Sequence, residues 1–192
     1  TQNGVGEIIW FGTRDGHVRA LNDDNMSSVF DFQNGSGLPI AAIAHEEGTG
    51  TKVFAGTAGG NLVALDERTG SKLWTASSGN ATPNCACGMG SIASSAGSVY
   101  MGAQDGFVYR FSATDGAKQA ATASAVYAGF VTVSNGVVYG LDTTKVRTFD
   151  ATSLALVGTP ALTSTPTYFT EPVPADGALW LVEGDGFLHK LA

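Results

Sequence analysis

The sequence predicts an all-β protein, a β-propeller of about five short antiparallel blades. Three observations carry that expectation. A unit made of an apolar strand, a glycine turn and a second strand recurs along the chain. The turn glycines fall at near-constant spacing. No segment sustains the period of an amphipathic helix.

The recurrent unit is visible in "EIIWFGTRDGHVRALNDDNMSSVFDF", "TKVFAGTAGGNLVALDERTGSKLWTA", "GSVYMGAQDGFVYRFSATDGAKQAAT", "GVVYGLDTTKVRTFDATSLALVGT" and "GALWLVEGDGFLHKLA". Each opens on a short apolar strand: Ile8 to Phe11, Val53 to Ala55, Val99 to Met101, Val137 to Tyr139 and Leu179 to Val182. A second strand follows whose facing residues include Val18 with Ala20, Leu62 with Ala64, Val108 with Arg110 and Leu188 with Lys190. Gly16, Gly60, Gly106 and Gly186 are spaced by 44, 46 and 80 residues, the last being two units around a fourth copy that carries "DTTK" instead of a glycine turn. That spacing lies in the range of propeller blades. Between the units lie "LPIAAIAH", "GSIASSA", "AGFVTVS" and "YFTEPVPA", rich in small residues, which are expected to be the innermost strand of each following blade. One propeller domain over residues 1–192 follows, with units at about 7–33, 34–78, 88–123, 126–159 and 165–192.

The physical logic is edge protection. A lone four-stranded sheet buries little, whereas sheets packed face to face around an axis hide both faces and leave short edges. The Asp-Gly pairs at 15–16, 105–106 and 185–186 are read as two-residue hairpin turns, in which glycine supplies the positive φ. Recurrence at one register position favours a turn over a metal ligand for these aspartates.

Composition narrows the function classes. The chain has 192 residues, 43% hydrophobic and 14% charged, which is the balance of a folded domain. Its 26 glycines demand many tight turns. A net charge of −7, with no basic run, argues against nucleic acid and against an anionic membrane surface. No apolar run reaches the roughly 18 residues of a membrane span. The chain opens on Thr1 without a secretory signal, as expected of a mature form or an excised piece.

The segment Ala64-Leu65-Asp66-Glu67-Arg68-Thr69-Gly70-Ser71-Lys72-Leu73-Trp74 resembles the tryptophan-docking repeat of the pyrroloquinoline-quinone (PQQ) propeller family. The resemblance implies that Trp74 packs between neighbouring blades while the Thr69-Gly70 turn returns the outermost strand. Ala64, Asp66, Thr69, Gly70 and Trp74 form the docking motif. Ala20, Asn22 and Phe30 stand at the matching positions of the first unit; the third keeps Gly116 but has Ala120 for the tryptophan, and the fourth keeps Asp150. Six residues precede the first hairpin, and the chain stops at Leu191-Ala192 before a last outermost strand. Either five blades close with incomplete first and last sheets, or the chain is an arc that a longer chain or a partner completes. The arc is the favoured expectation, because exposed edges and faces invite association.

The resemblance also implies a chemistry to weigh. Enzymes of the family oxidise alcohols or sugars with PQQ and Ca²⁺, using adjacent cysteines and a Glu/Asn/Asp calcium set. Here Cys85 and Cys87 are separated by Ala86, and no acidic set matches position by position. The cysteines read as an incidental pair, a strained local disulfide or half of a metal site. "NDDN", Asn22 to Asn25, lacks the glycine and distal glutamate of a calcium loop, and "EGDG", Glu183 to Gly186, reads as a hairpin turn. His17, His45 and His189 are scattered without a triad context. Trp10, Trp74 and Trp180 are candidates for stacking on a sugar, although core packing explains them better.

The expected function is therefore a non-catalytic, extracytoplasmic module serving as a protein-interaction or structural scaffold, with no cofactor. Its partner is another protein or the remainder of a larger propeller, and scaffold lipoproteins of outer-membrane assembly are among the relatives that the resemblance implies. The alternatives are a fragment of a PQQ-dependent quinoprotein dehydrogenase and a carbohydrate-binding propeller.

Overall fold

The structure is a computed structural model that describes residues 7–46, 50–79, 91–103, 105–124, 130–141, 145–160, 172–182 and 185–191. Its regular elements are all strands, gathered in five antiparallel sheets of consecutive strands. The first sheet holds β1 (Ile8–Gly12), β2 (His17–Asn22) and β3 (Ser28–Gln33). The second holds β4 (Ile40–His45), β5 (Lys52–Thr57), β6 (Asn61–Asp66) and β7 (Lys72–Ser77). In the third lie β8 (Ile92–Ser95), β9 (Ser98–Gly102), β10 (Val108–Ser112) and β11 (Lys118–Ala121). The fourth comprises β12 (Phe130–Ser134), β13 (Val137–Leu141), β14 (Val146–Asp150) and β15 (Leu156–Gly158). The fifth comprises β16 (Val173–Ala175), β17 (Ala178–Val182) and β18 (Leu188–Leu191). The four inter-unit segments each contribute the first strand of the following sheet, β4, β8, β12 and β16, and these strands are neighbours in that order. The blades form an unclosed arc.

Each sheet has two apolar faces because its strands alternate between a residue aimed at the next blade and one aimed at the previous blade. In β6, Leu62 and Ala64 join a cluster with Ile92, Val99, Met101 and Phe111 of the third sheet, whereas Val63 and Leu65 join Val18 of the first. The run is therefore continuously hydrophobic although its period is two. Glycine at the end of β5 lets the next blade approach, since a Cβ on Gly56 would lie 2.7 Å from Ile92 Cδ1.

The hairpin turns differ from the sequence-based expectation in one respect. Gly16 and Gly106 do have positive φ, at 87° and 85°. Their loops, however, contain three residues: Thr13 N–H donates to His17 O at 2.9 Å while Gly16 N–H donates to Thr13 O at 3.2 Å, and Ala103, Gly106 and Phe107 repeat the pattern. Among the described loop residues only the last enters the left-handed region, so aspartate keeps an ordinary conformation and uses its carboxylate instead, as when Asp105 Oδ1 accepts from Phe107 N–H at 3.0 Å. The two-residue turns lie elsewhere, at Ala96-Gly97, Asn135-Gly136 and Asp176-Gly177, where both residues have positive φ.

Candidate interaction surface and inter-blade joints

The turn before each outermost strand is built the same way four times. In the second unit Asp66 Oδ1 accepts from Thr69 N–H and Thr69 Oγ1, both at 2.8 Å, and from Arg68 N–H at 3.0 Å. The Thr69 hydroxyl, with burial opposing and the two amides assisting, holds the Asp66 carboxyl below the usual carboxylate range. In the fourth unit Asp150 binds Ser153 and Thr152 in the same way, and the Ser153 hydroxyl lowers its pKa. Every copy ends in a residue of positive φ, namely Met26, Gly70, Gly116 and Leu154, whose N–H donates to the first residue of the turn. A register shift in the adjoining strand pair follows at the same place in all four sheets.

These turns receive the preceding blade. The Trp74 indole lies over Gly116, where a Cβ would sit 2.6 Å from Cε3, and Phe30 lies over Gly70, where the distance would be 2.7 Å. Trp74 packs against Phe54 at 5.8 Å between ring centroids, and its Nε1–H donates to Ala113 O of the third sheet at 3.3 Å. Phe30 stacks on Trp10 at 5.8 Å. Thus Ala64, pairing with Trp74 across the strands, leaves room beneath the ring; Asp66 and Thr69 fix the turn; and Gly70 accepts the ring of the previous blade.

The third joint is assembled from different residues, none of which sequence reasoning singled out for this task. Ala120 stands at the position of Trp74, and the positive-φ residue of the next turn is Leu154, 2% exposed, in the cluster against which Ala120 packs. Tyr100, at the position of Phe54, donates its hydroxyl to Ala151 O at 2.9 Å, and Ala151 occupies the position of Ala113. Arg110, at the position of Ala64, donates from Nη1 to Thr152 O at 2.6 Å and from Nε to Ser98 Oγ at 3.0 Å. Loss of the large ring is offset by a leucine growing back from the other side. The signal in the sequence was the leucine at a glycine register position. Farther in, Ser91 bridges the third and fourth sheets, its Oγ donating to Val131 O at 3.0 Å and accepting from Val131 N–H.

The remaining candidates are dispersed. Cys85 and Cys87 lie outside the described residues, as do Glu183 and Gly184 of "EGDG". In "NDDN", Asn22 and Asn25 accept backbone N–H groups of Asp24 and Ser27, as turn residues do. His17 pairs with Asp31 at 2.5 Å, His45 with Glu67 at 3.3 Å and His189 with Asp185 at 2.9 Å, one pair on each of three sheets. Among the described residues no three His, Cys, Asp or Glu side chains converge on a point that could hold a metal ion. Trp10 belongs to the cluster between the first and second sheets, while Trp180 lies on the face of the fifth sheet that points away from the fourth. The structure thus brings together the residues of the joints between successive sheets, and not the histidines or the tryptophans as one site.

No curated protein matches the chain in sequence. Among solved structures, BamB from Moraxella catarrhalis superimposes with a TM-score of 0.78 at 16% identity, covering 100% of this chain and 58% of that one. The computationally designed Ika8 protein gives 0.75 at 18% identity, over 96% of this chain and 54% of the other. The designed Ika4 protein gives 0.66 at 17% identity, over 82% of this chain and 92% of its own. At such identities these likenesses speak for the fold alone, and the chain spans little more than half the length of the first two. The sequence profile of the family described as outer membrane protein assembly factor BamB, however, matches residues 4–156, most of the chain. With the repeated turn-and-ring joints in place, the chain belongs to this PQQ-like propeller family of BamB.

Proposed function

We propose that the chain is an extracytoplasmic, non-catalytic scaffold that binds another protein in the outer-membrane assembly setting of its family. The observation that carries this reading is the family match over residues 4–156. The architecture is consistent with it. Four joints lock the blades face to face, which makes a stiff platform of the kind that presents loops and edges for recognition. Among the described residues the histidines meet carboxylates on three separate blades, Asp31 being shared by His17 and Arg19.

The test uses mild crosslinking of the tagged chain in the envelope fraction of its native source, followed by identification of what co-purifies. A stoichiometric envelope protein whose binding persists with purified components is the expected result. Failure to recover one, together with dye reduction from alcohols or aldoses on addition of PQQ and Ca²⁺, would replace the scaffold reading with the dehydrogenase one.

A further inference from the structure

Three Asn-Gly pairs occur in the sequence, Asn3-Gly4, Asn34-Gly35 and Asn135-Gly136, and the last two lie among the described residues. Such a pair loses its amide without an enzyme wherever the glycine nitrogen reaches the side-chain carbonyl carbon, since glycine has no side chain to block the approach. The fold sets the two described pairs apart. Asn135, with φ 50°, and Gly136 form the turn between β12 and β13, and Ser134 pairs with Val137 directly beneath them. Val131 and Val138 of that hairpin are 0% exposed, so turning the Asn135 backbone into line for attack opens a packed ladder.

Asn34 lies instead in the irregular connection between β3 and β4. Gly35 is exposed, and a Cβ on Gly35 or Gly37 would meet nothing within 4 Å, so this stretch has room to turn. Among the described residues Gly35 N–H meets no acceptor. The Asn34 side-chain oxygen accepts from Ser36 N–H at 2.7 Å and from Ser36 Oγ at 2.6 Å. Two donors on one amide oxygen draw electron density from Cγ and stabilise the negative charge that attack places on that oxygen.

We propose that Asn34 is a site of spontaneous deamidation in the folded protein, and that Ser36 assists the reaction. Gly35 N gives its proton to solvent base and bonds to Asn34 Cγ. The tetrahedral intermediate collapses with cleavage of the Cγ–Nδ2 bond, and the nitrogen takes up a proton from solvent and leaves as ammonia. Water then opens the succinimide at either carbonyl, which leaves an aspartyl or an isoaspartyl linkage. Nothing is oxidised or reduced, and water is the only co-reactant.

The change falls on a seam between blades. Asn34 N–H donates to Gly16 O at 3.1 Å, and Asn34 Nδ2 donates to Leu38 O at 3.0 Å. Ile40 N–H donates to Thr13 O at 3.0 Å, and Ala58 N–H donates to Pro39 O at 2.9 Å. The connection therefore stitches the first hairpin loop of one blade to that of the next. Conversion replaces the Nδ2 donor with a carboxylate oxygen that has no hydrogen for the Leu38 carbonyl, and the isoaspartyl form also lengthens the main chain.

Peptide mapping by mass spectrometry tests this on the purified chain, held in mildly alkaline buffer and sampled over weeks. In the folded chain Asn34 is expected to convert about ten-fold faster than Asn135, whereas in urea the two should convert at similar rates. Ser36→Ala should slow Asn34 about five-fold in the folded chain and leave its rate in urea unchanged. Asn34→Asp, which carries the aspartyl product from the start, should melt below the wild type. Asn34 that stays intact in the folded chain while it converts in urea, or that converts no faster than Asn135, overturns the proposal. A folded Ser36→Ala chain that converts at or above the wild-type rate rejects the part given to Ser36. An Asn34→Asp chain that melts with the wild type rejects the effect on the seam.

Discussion

The Tyr100 hydroxyl donates to the carbonyl of Ala151 at 2.9 Å, the same backbone position that Trp74 reaches at Ala113 one joint earlier. Two joints of one protein thus satisfy the same carbonyl from different strands. In the second joint the donor comes from the outermost strand, and in the third it comes from β9.

Removing the ring from the second joint tests how much it holds. Trp74→Ala is expected to cost about 3 kcal/mol of unfolding free energy, read from urea denaturation followed by circular dichroism. Gly116→Ala should cost about 2 kcal/mol with Trp74 intact, since the methyl meets the indole and φ is 75°. In the Trp74→Ala background only the backbone part of that cost should survive, so the two changes should be clearly less than additive.

The third joint predicts a compensating set. Tyr100→Phe should lose about 1 kcal/mol with the interblade hydrogen bond. Ala120→Trp and Leu154→Gly are each expected to destabilise, one by overpacking and the other by opening a cavity. Combined in an Arg110→Ala background, which clears the space that Ala64 leaves under Trp74, they should recover at least about 1 kcal/mol relative to their sum. A double-mutant cycle in urea measures it.

Ser91 offers a smaller target with a sharp readout. Ser91→Ala leaves Val131 N–H, inside the innermost packing, without its acceptor, and should cost about 2 kcal/mol. Ser91→Thr keeps the oxygen and should cost less, and amide exchange at Val131 should accelerate only in the alanine variant.

Acid should loosen the turns. Asp66 and Asp150 both have pKa values lowered in the fold, chiefly by the Thr69 and Ser153 hydroxyls. Their contribution is complete above the unfolded carboxyl pKa of about 3.9 and disappears as pH falls through the lower folded values. The thermal midpoint should therefore be insensitive to these groups between pH 5 and neutrality, on the order of a flat line, and fall below about pH 4. Asp66→Asn should flatten part of that acid limb, because asparagine has no charge to lose.

Much of the fold could be read directly from residues close together in the chain. The apolar run in "NLVALD" and the turn glycines Gly16, Gly60 and Gly106 are local features, and the strands they bound are found. The mistaken detail, two-residue turns at Asp15-Gly16 and Asp105-Gly106, was also local. The register of the flanking strands decides between two and three loop residues, and Thr13 pairing with His17 sets three. The Asp66 turn was legible for the same reason, since its hydrogen-bond partners lie within three residues.

What packs on what could be learned only from the folded chain. Ala120 looks like an erased docking tryptophan until Leu154, 34 residues later, is seen filling the space, with Tyr100 and Arg110 supplying the polar contacts. Leu188 and Val108 are equivalent in pattern, yet one is 64% exposed and the other 0%. Backbone propensity and strand period act over a few residues and are written in each unit separately. Burial depends on whether another blade arrives at the face, and that is a property of the assembled stack.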